Sequence, residues 1–267
     1  MNWVYDLPTW QFSILLTSIA LCLTCGSHIL MRRFVARDLL LRHNDVAGFV
    51  ASLVGVIYAV LLSFVVIVVW QEYDAATSIA QKEANAVADL YHLSYGMPDP
   101  LAAHIRGDLS NYINVMVRKE WPLMQHGESS HEADLVGHHI LSHIIHFNPT
   151  SLAQAQIRDS GLKQVQVFFD ARRDRLSANE TSLPRILWMT LVIGALVTIG
   201  FTFFFGMESA RLQVTMTAGL TLVIVAMFVL IIELDYPFRG DTRVQPEMWH
   251  DLQREMGSAL PEDVYRP

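Results

Sequence analysis

The amino-acid sequence predicts an all-α integral membrane protein with four transmembrane helices and a helical-bundle domain inserted between spans 2 and 3. Only 17% of its 267 residues are charged and 52% are hydrophobic, whereas a soluble domain has about 25% charged residues. Four apolar segments come close to the ~20 residues needed to cross a hydrocarbon core. They cover residues 10–31, 47–70, 186–205 and 212–234 approximately.

These segments divide the chain into five predicted regions. The regions are an N-terminal segment (1–9), spans 1 and 2 (10–70), an extramembrane helical domain continuing from span 2 (71–185), spans 3 and 4 (186–234), and a C-terminal tail (235–267).

The inserted region shows helical spacing of apolar residues and no strand alternation. The helix of span 2 meets no Gly or Pro after Gly55 until the turn at 95–100, so we expect it to continue to about Tyr95. A second helix should begin near Pro98 and end at Trp121, because Pro122 disfavours helical geometry in the preceding residue. Two further helices are predicted within 131–147 and 151–176.

Basic residues predict the orientation in a bacterial inner membrane. The short connection after span 1 contains Arg32, Arg33, Arg37 and Arg42, and the N-terminal segment contains no Lys or Arg. Arginines in short loops favour the cytoplasmic side. The inserted domain and both termini are therefore expected in the periplasm.

Several function classes are disfavoured. The net charge is −7 and the basic residues are scattered, which argues against a nucleic-acid partner. Cys22 and Cys25 have redox-motif spacing but lie within an apolar span, where packing is the simpler role. No nucleophile or phosphate-loop motif occurs. We therefore predict neither an enzyme nor a cofactor.

A histidine-rich helix offers candidate metal ligands. His139, His143 and His146 fall at i, i+4 and i+7, on one helix face. Imidazoles at that spacing can bind Zn²⁺ or Cu²⁺. A polar helix face is the simpler interpretation, so no metal site is predicted and these three residues remain candidates only.

Acidic and basic residues of the inserted domain are predicted to pair. Arg172, Arg173 and Arg175 form a short run that could reach Glu83 and Glu120 across the bundle. A structural ion-pair network is the favoured interpretation, and an anion-binding role is the alternative.

Span 2 has two different faces. Small residues form a stripe at Gly48, Ser52, Gly55, Ala59 and Ser63, and the opposite face has Val50, Val54, Ile57, Leu61, Phe64 and Val68. Small residues allow close approach of another helix, or they could line a narrow, weakly polar pore. No Asp, Glu, Lys or Arg lies deep in a span, which disfavours an ion-coupled transporter.

The order of several motifs resembles the bacterial bestrophin-like domain family, between about His43 and Gly240. The motifs are "HNDVAGF", "GVIYAVLLSFVVIVVWQEY", "EANAVADLY", "EWPLM", "ARRDRL", "LPRILW" and "LDYPFRG". The family's recurrent positions map here to Asn44, Gly55, Tyr58, Trp70, Glu83, Asn85, Glu120, Trp121, Pro122, Arg172, Arg173, Arg175, Pro184, Asp235, Tyr236, Pro237 and Phe238.

The resemblance implies kinship with bestrophins, which are ring-shaped anion channels. Their second span lines the pore, and a large helical domain lies between spans 2 and 3, on the cytoplasmic side. Their Arg-Trp-Gly-Gly motif has no counterpart here.

The expected function is an oligomeric bestrophin-like channel or pore, perhaps for anions, lined by span 2. The alternative is a non-conducting sensor or scaffold whose extramembrane domain binds a partner or metal. The expected partners are the lipid bilayer, further copies of the same chain and small inorganic ions.

Overall fold

The computed structural model describes residues 5, 7–34, 44–205 and 209–257, without the side chains of 29 and 31–34. The described part is helical and has no strand, which confirms the all-α prediction. The helices are α1 (Thr9–Phe34), α2 (Asn44–Ser94), α3 (Leu101–Val115), α4 (Trp121–Met124), α5 (His131–His146), α6 (Leu152–Glu180), α7 (Arg185–Thr202), α8 (Ala210–Asp235) and α9 (Glu247–Gly257). A π turn, Met116–Glu120, joins α3 to α4.

The chain forms two compact units. The first is drawn from residues up to Glu72 and from Ser182–Asp235, and the second from Tyr73–Thr181 and the residues after Asp235. The division falls within α2, whose 51 residues are helical throughout.

The first unit contains the apolar helices. Four helical stretches in the described residues are long and apolar enough to cross a membrane, and they lie in α1, α2, α7 and α8. Helix α8 packs against α1 and α7. These helices have the length and the hydropathy of membrane spans.

Threonines contribute hydrogen bonds between the helices of the first unit. Thr221 of α8 donates to the Thr217 carbonyl at 2.8 Å, and its hydroxyl oxygen lies 3.3 Å from that of Thr24 in α1. The hydroxyl of Thr217 lies 3.3 Å from that of Thr202 in α7. Paired hydroxyls are a common way to join helices where water is absent.

The second unit is a bundle around a well-buried apolar core. Helix α3 packs against α5, and α5 packs against α6. Serines cap two of the helices, since Ser130 accepts from the Ala133 N–H at 3.4 Å and Ser151 from the Gln154 N–H at 3.2 Å. Such caps satisfy backbone donors that have no partner within the helix.

The segment 235–267, predicted as a C-terminal tail, contributes a helix to this unit. Helix α9 packs against α3 and the π turn. It buries Trp249 completely, and the Trp121 indole N–H donates to the Val244 carbonyl at 3.0 Å. The sequence pattern of this short helix did not indicate that α3 and the π turn would cover its apolar side chains.

One predicted helix end is wrong. Trp121 has helical angles, φ −60° and ψ −44°, and the chain stays helical to Met124. Pro122 lies in the first turn of α4, directly after the π turn. Proline is tolerated in a first turn because the N–H it lacks is not needed there. Because the π turn interrupts the regular α-helical hydrogen bonding, the residues after it behave as the first turn of a new helix although the chain stays helical.

The other helix boundaries differ by a few residues. Helix α2 ends at Ser94 and α6 reaches Glu180, beyond the expected end near 176. Four arginines predict the orientation. Arg37 and Arg42 lie outside the described residues, and the side chains of Arg32 and Arg33 are not described either.

Candidate functional site

Two parts of the structure contain the charged and the small residues that the sequence identified as candidates. One is a buried charge cluster in the second unit, made by Glu83, Tyr112, Glu120, Arg172 and Arg175. The other is the small-residue stripe of α2 in the first unit.

Arg175 is the centre of the charge cluster. Its Nε donates to Glu83 Oε2 at 2.5 Å, and its Nη2 donates to Glu120 Oε1 at 3.0 Å. Its guanidinium lies over the Trp121 ring, 5.5 Å from the centroid. None of the three charged side chains is exposed to solvent, so each charge depends on its partners for stabilisation.

Tyr112 and Arg172 complete the network. Arg172 Nη1 donates to Glu120 Oε1 and to the Tyr112 hydroxyl, at 3.0 Å in each case. Tyr112 in turn donates to Glu83 Oε1 at 2.5 Å. The Ser130 N–H donates to Glu120 Oε2 at 2.7 Å. Two carboxylates therefore meet two guanidinium groups, and the formal charges cancel.

The π turn places Glu120 in this cluster. In a regular α-helix, successive residues rotate by about 100°, so Glu120 would lie about 80° from Tyr112 around the axis. One extra residue in the turn brings Glu120 back to within about 20° of Tyr112. Both side chains then share the buried face of this helix.

The electrostatics favour a structural role for the cluster. Burial alone would lower the pKa of Arg175, but the charge of Glu83 and its hydrogen bond outweigh burial and raise the pKa. Burial and then the charge of Glu83 raise the pKa of Tyr112 well above its ordinary value. Groups held this firmly in one protonation state are poor acids, bases or nucleophiles.

Arg173 does not join the network, contrary to the sequence prediction. It pairs with Asp170 on the exposed surface, and its side chain is 70% exposed. The reason is helical geometry, because a residue next to Arg172 is rotated by about 100° from it. Asn85 is also exposed and accepts from Gln81 Nε2 at 3.0 Å.

The remaining family positions lie at separate places within the two units. In the first unit, the Leu183 N–H donates to Asp235 Oδ1 at 2.7 Å, Trp70 is exposed, and Asn44 begins α2. In the second unit, the Phe238 ring meets the Trp121 ring edge-on at 5.8 Å.

The residues around Phe238 form a turn in the second unit. The Tyr236 ring lies under the Arg239 guanidinium at 4.1 Å, and the Pro237 carbonyl accepts from the Val244 N–H at 2.8 Å. Pro122 is exposed.

The histidine candidates do not converge. His143 Nε2 lies 3.3 Å from Asp108 Oδ2 and its ring stacks on His104. His146 Nδ1 lies 2.8 Å from the Ser142 carbonyl, and His139 is exposed. Among the described residues, no group of three His, Cys, Asp or Glu side chains could hold a metal ion. Neighbouring polar groups engage His143 and His146 separately.

The buried face of α2 in the first unit is formed by a tyrosine and apolar side chains. The Tyr58 hydroxyl donates to the Leu191 carbonyl of α7 at 3.1 Å, and Leu62 and Val65 are buried beside it. Gly194 makes this contact possible, because a Cβ there would lie 2.4 Å from the Tyr58 ring.

The small-residue stripe lies elsewhere, about a quarter-turn from that buried face. Ser52, Ala59 and Ser63 are exposed, and a Cβ at Gly55 would meet nothing within 4 Å. The serine hydroxyls donate to backbone carbonyls four residues back, Ser52 to Gly48 at 2.8 Å and Ser63 to Ala59 at 2.9 Å. Within the described chain, these four positions remain uncovered.

The bulky face of α2 is largely exposed as well. Ile57 is 62% exposed and Phe64 is 64% exposed. A single chain therefore leaves two opposite faces of the same apolar helix uncovered, one small and one large. Side chains of this kind require lipid or other protein surfaces around them.

Comparison with known proteins agrees with the fold. Long apolar helices combined with an all-helical second unit define a helical membrane protein. The model of the Bestrophin-like domain family matches residues 18–248. The chain therefore belongs to this family. No curated protein matches it.

Solved structures of bestrophin homologues share the fold. A variant of the bacterial bestrophin homologue from Klebsiella pneumoniae is 13% identical, with a TM-score of 0.66 and coverage of 90% of this chain and 98% of that one. A second structure of the Klebsiella homologue is 14% identical, with a TM-score of 0.64 and coverage of 93% and 99%. A crystal structure described as a membrane protein is 13% identical, with a TM-score of 0.62 and coverage of 89% and 97%.

Proposed function

We propose that the protein is an oligomeric bestrophin-like channel whose α2 helices line a pore for small inorganic anions. The uncovered stripe of Ser52, Gly55, Ala59 and Ser63 is the observation that carries this proposal. Copies of the chain arranged in a ring would bring their stripes to a common axis. The bulky face would then lie towards the lipid or the neighbouring subunit.

The chemistry of the stripe suits a narrow, weakly selective passage. Its side chains are small, so a ring of helices could approach closely without filling the axis. It contains no carboxylate, and rings of carboxylates are typical of cation channels. The two serine hydroxyls add weak polarity at separate heights along the stripe.

We place the protein in the bacterial inner membrane, with residues 71–185 on the periplasmic side. The support is the arginine content of the connection between spans 1 and 2. A periplasm-dependent reporter fused after Pro267 should be active and a cytoplasm-dependent reporter silent. The reverse pattern would overturn this orientation and give the arrangement that the bestrophin resemblance implies.

Recording in planar bilayers tests conduction. The purified full-length protein should give single-channel currents, and in a KCl gradient the reversal potential should lie towards the chloride equilibrium potential. A reversal potential on the potassium side would overturn anion selectivity. Silence under varied pH, Ca²⁺ and voltage would overturn the channel proposal and favour a non-conducting scaffold or sensor.

A further inference from the structure

The second unit contains a cavity of about 440 Å³ between the end of α2, α3 and α9. Its walls are partly polar and partly apolar, and they include Tyr91, Arg106, Gly107, Ser110, Ile113 and Met256. Cavities that hold small organic ligands have volumes of roughly 300–1,000 Å³ and combine apolar walls with a few polar groups. The volume therefore suits a small molecule.

Arg106 is the charged group of this cavity. Its guanidinium lies over the Tyr95 ring, 5.0 Å from the centroid. In the described part of the chain, no carboxylate lies within 4.0 Å of it. Arg172, Arg173, Arg175 and Arg254 all pair with carboxylates instead. A guanidinium stacked by its face keeps its N–H edge for a planar anion.

Tyr91 adds a neutral donor beside Arg106. Its hydroxyl oxygen accepts from the Tyr95 hydroxyl at 3.2 Å. Burial is the largest cause that raises the pKa of Tyr91 to about 12. Tyr91 therefore keeps its proton at neutral pH and can donate it to an oxygen acceptor.

Gly107 leaves space in the wall, because a Cβ built there meets nothing within 4 Å. Met256 is half-buried and supplies apolar surface, and the buried Ile113 side chain lies behind the wall with only 1% of its surface exposed. An anion bound by its charge alone would leave this surface exposed to water, whereas a ligand with an apolar body would cover it.

A negative group near the cavity limits the charge of the ligand. Glu255 lies 3.5 Å from His92 Nε2, and its charge acts on Tyr91 in the direction opposite to that of Arg106. A second negative charge on the ligand would be repelled by Glu255.

We propose that this cavity binds a small organic monocarboxylate, with the carboxylate on Arg106 and the apolar body against Met256. Carboxylates match the forked N–H geometry of arginine. All residues of the site lie in the second unit, and its binding can be measured without ion conduction.

Calorimetric titration of the purified full-length protein with benzoate tests the site. Benzoate should bind saturably, and benzamide, its neutral analogue, should bind at least about tenfold more weakly, which corresponds to about 1.4 kcal/mol. Inorganic phosphate should also bind more weakly, because it has no apolar body. Equal binding of benzamide or phosphate, or no heat with benzoate, would overturn the proposal.

Two variants and a control separate binding from folding. Arg106→Gln should weaken benzoate by about tenfold or more, and Gly107→Leu should abolish binding by filling the cavity. Arg118→Gln removes an exposed arginine of the π turn and should leave the Kd unchanged. If either cavity variant keeps the unfolding midpoint and the Kd of the wild type, the assignment of the site is wrong.

Discussion

Arg175 Nη2 lies 3.0 Å from Glu120 Oε1, and neither side chain is exposed to solvent. The same guanidinium contacts Glu83, so Arg175 joins the buried carboxylates of α2 and the π turn, and Arg172 supplies the second positive charge through Glu120. Removing one partner of a buried ion pair leaves an uncompensated charge, which typically costs about 3–5 kcal/mol.

Arg175→Met should therefore lower the free energy of unfolding by about 3–5 kcal/mol. Chemical unfolding of the detergent-solubilised protein, followed by Trp fluorescence, measures the change. Arg173→Met is the matched control, because its ion pair with Asp170 is exposed and such pairs contribute about 0–1 kcal/mol. Equal effects of the two variants would contradict a structural role of the buried cluster.

Tyr112 should make the protein sensitive to alkaline pH. Its pKa is raised in the folded state by burial and by Glu83, so the folded protein holds the phenol proton more tightly than the unfolded chain does. This contribution to stability is fully present below about pH 10 and is lost as pH rises towards the folded pKa.

Tyr112→Phe tests this dependence. At neutral pH the variant should be less stable by about 1–3 kcal/mol, because the buried side chains of Glu83 and Arg172 each lose the Tyr112 hydroxyl as a hydrogen-bond partner. Between pH 9 and 11.5 its unfolding midpoint should fall less steeply than that of the wild type. Parallel curves would show that the phenol of Tyr112 does not control the alkaline loss of stability.

Two glycines of α7 provide a matched test of packing in the first unit. A Cβ at Gly194 would lie 2.4 Å from the Tyr58 ring, whereas a Cβ at Gly200 would meet nothing within 4 Å. Gly194→Ala should therefore lower the thermal unfolding midpoint through a clash that costs about 1–3 kcal/mol.

Gly200→Ala should leave that midpoint unchanged or raise it, since Ala is the better helix former. Adding Tyr58→Ala to Gly194→Ala removes the clashing ring and should make the glycine substitution nearly neutral. A Gly194→Ala protein as stable as Gly200→Ala would contradict the described contact between α2 and α7.

The sequence predicted those helices that are indicated by the pattern of neighbouring residues in the chain. The apolar segments and the helical spacing of α5 gave helices close to those observed. Charge type identified Glu83, Glu120, Arg172 and Arg175 as partners but did not separate Arg173 from them, whereas helical spacing would have placed Arg173 about 100° from Arg172. That separation depends on the direction of each side chain around α6.

Other features depend on tertiary contacts. The π turn at Met116–Glu120 adds one residue to a helical turn, and sequence periodicity does not reveal where such a residue will be accommodated. The burial of Trp249 depends on a surface made by residues distant in the chain. The cavity beside Arg106 was missed because an arginine without a carboxylate partner cannot be distinguished from a paired one in the sequence.

Cysteine accessibility tests the proposed pore lining directly. Ala59 and Val68 are both exposed in the single chain, and their separation of nine positions places them on opposite sides of α2. Each would be replaced by Cys in a background in which Cys22 and Cys25 are Ser. A charged, membrane-impermeant thiol reagent is then applied during bilayer recording.

The reagent should block the current of Ala59→Cys and leave that of Val68→Cys unchanged. Block of Val68→Cys alone, or of neither variant while both conduct, would contradict a pore lined by the small-residue stripe of α2.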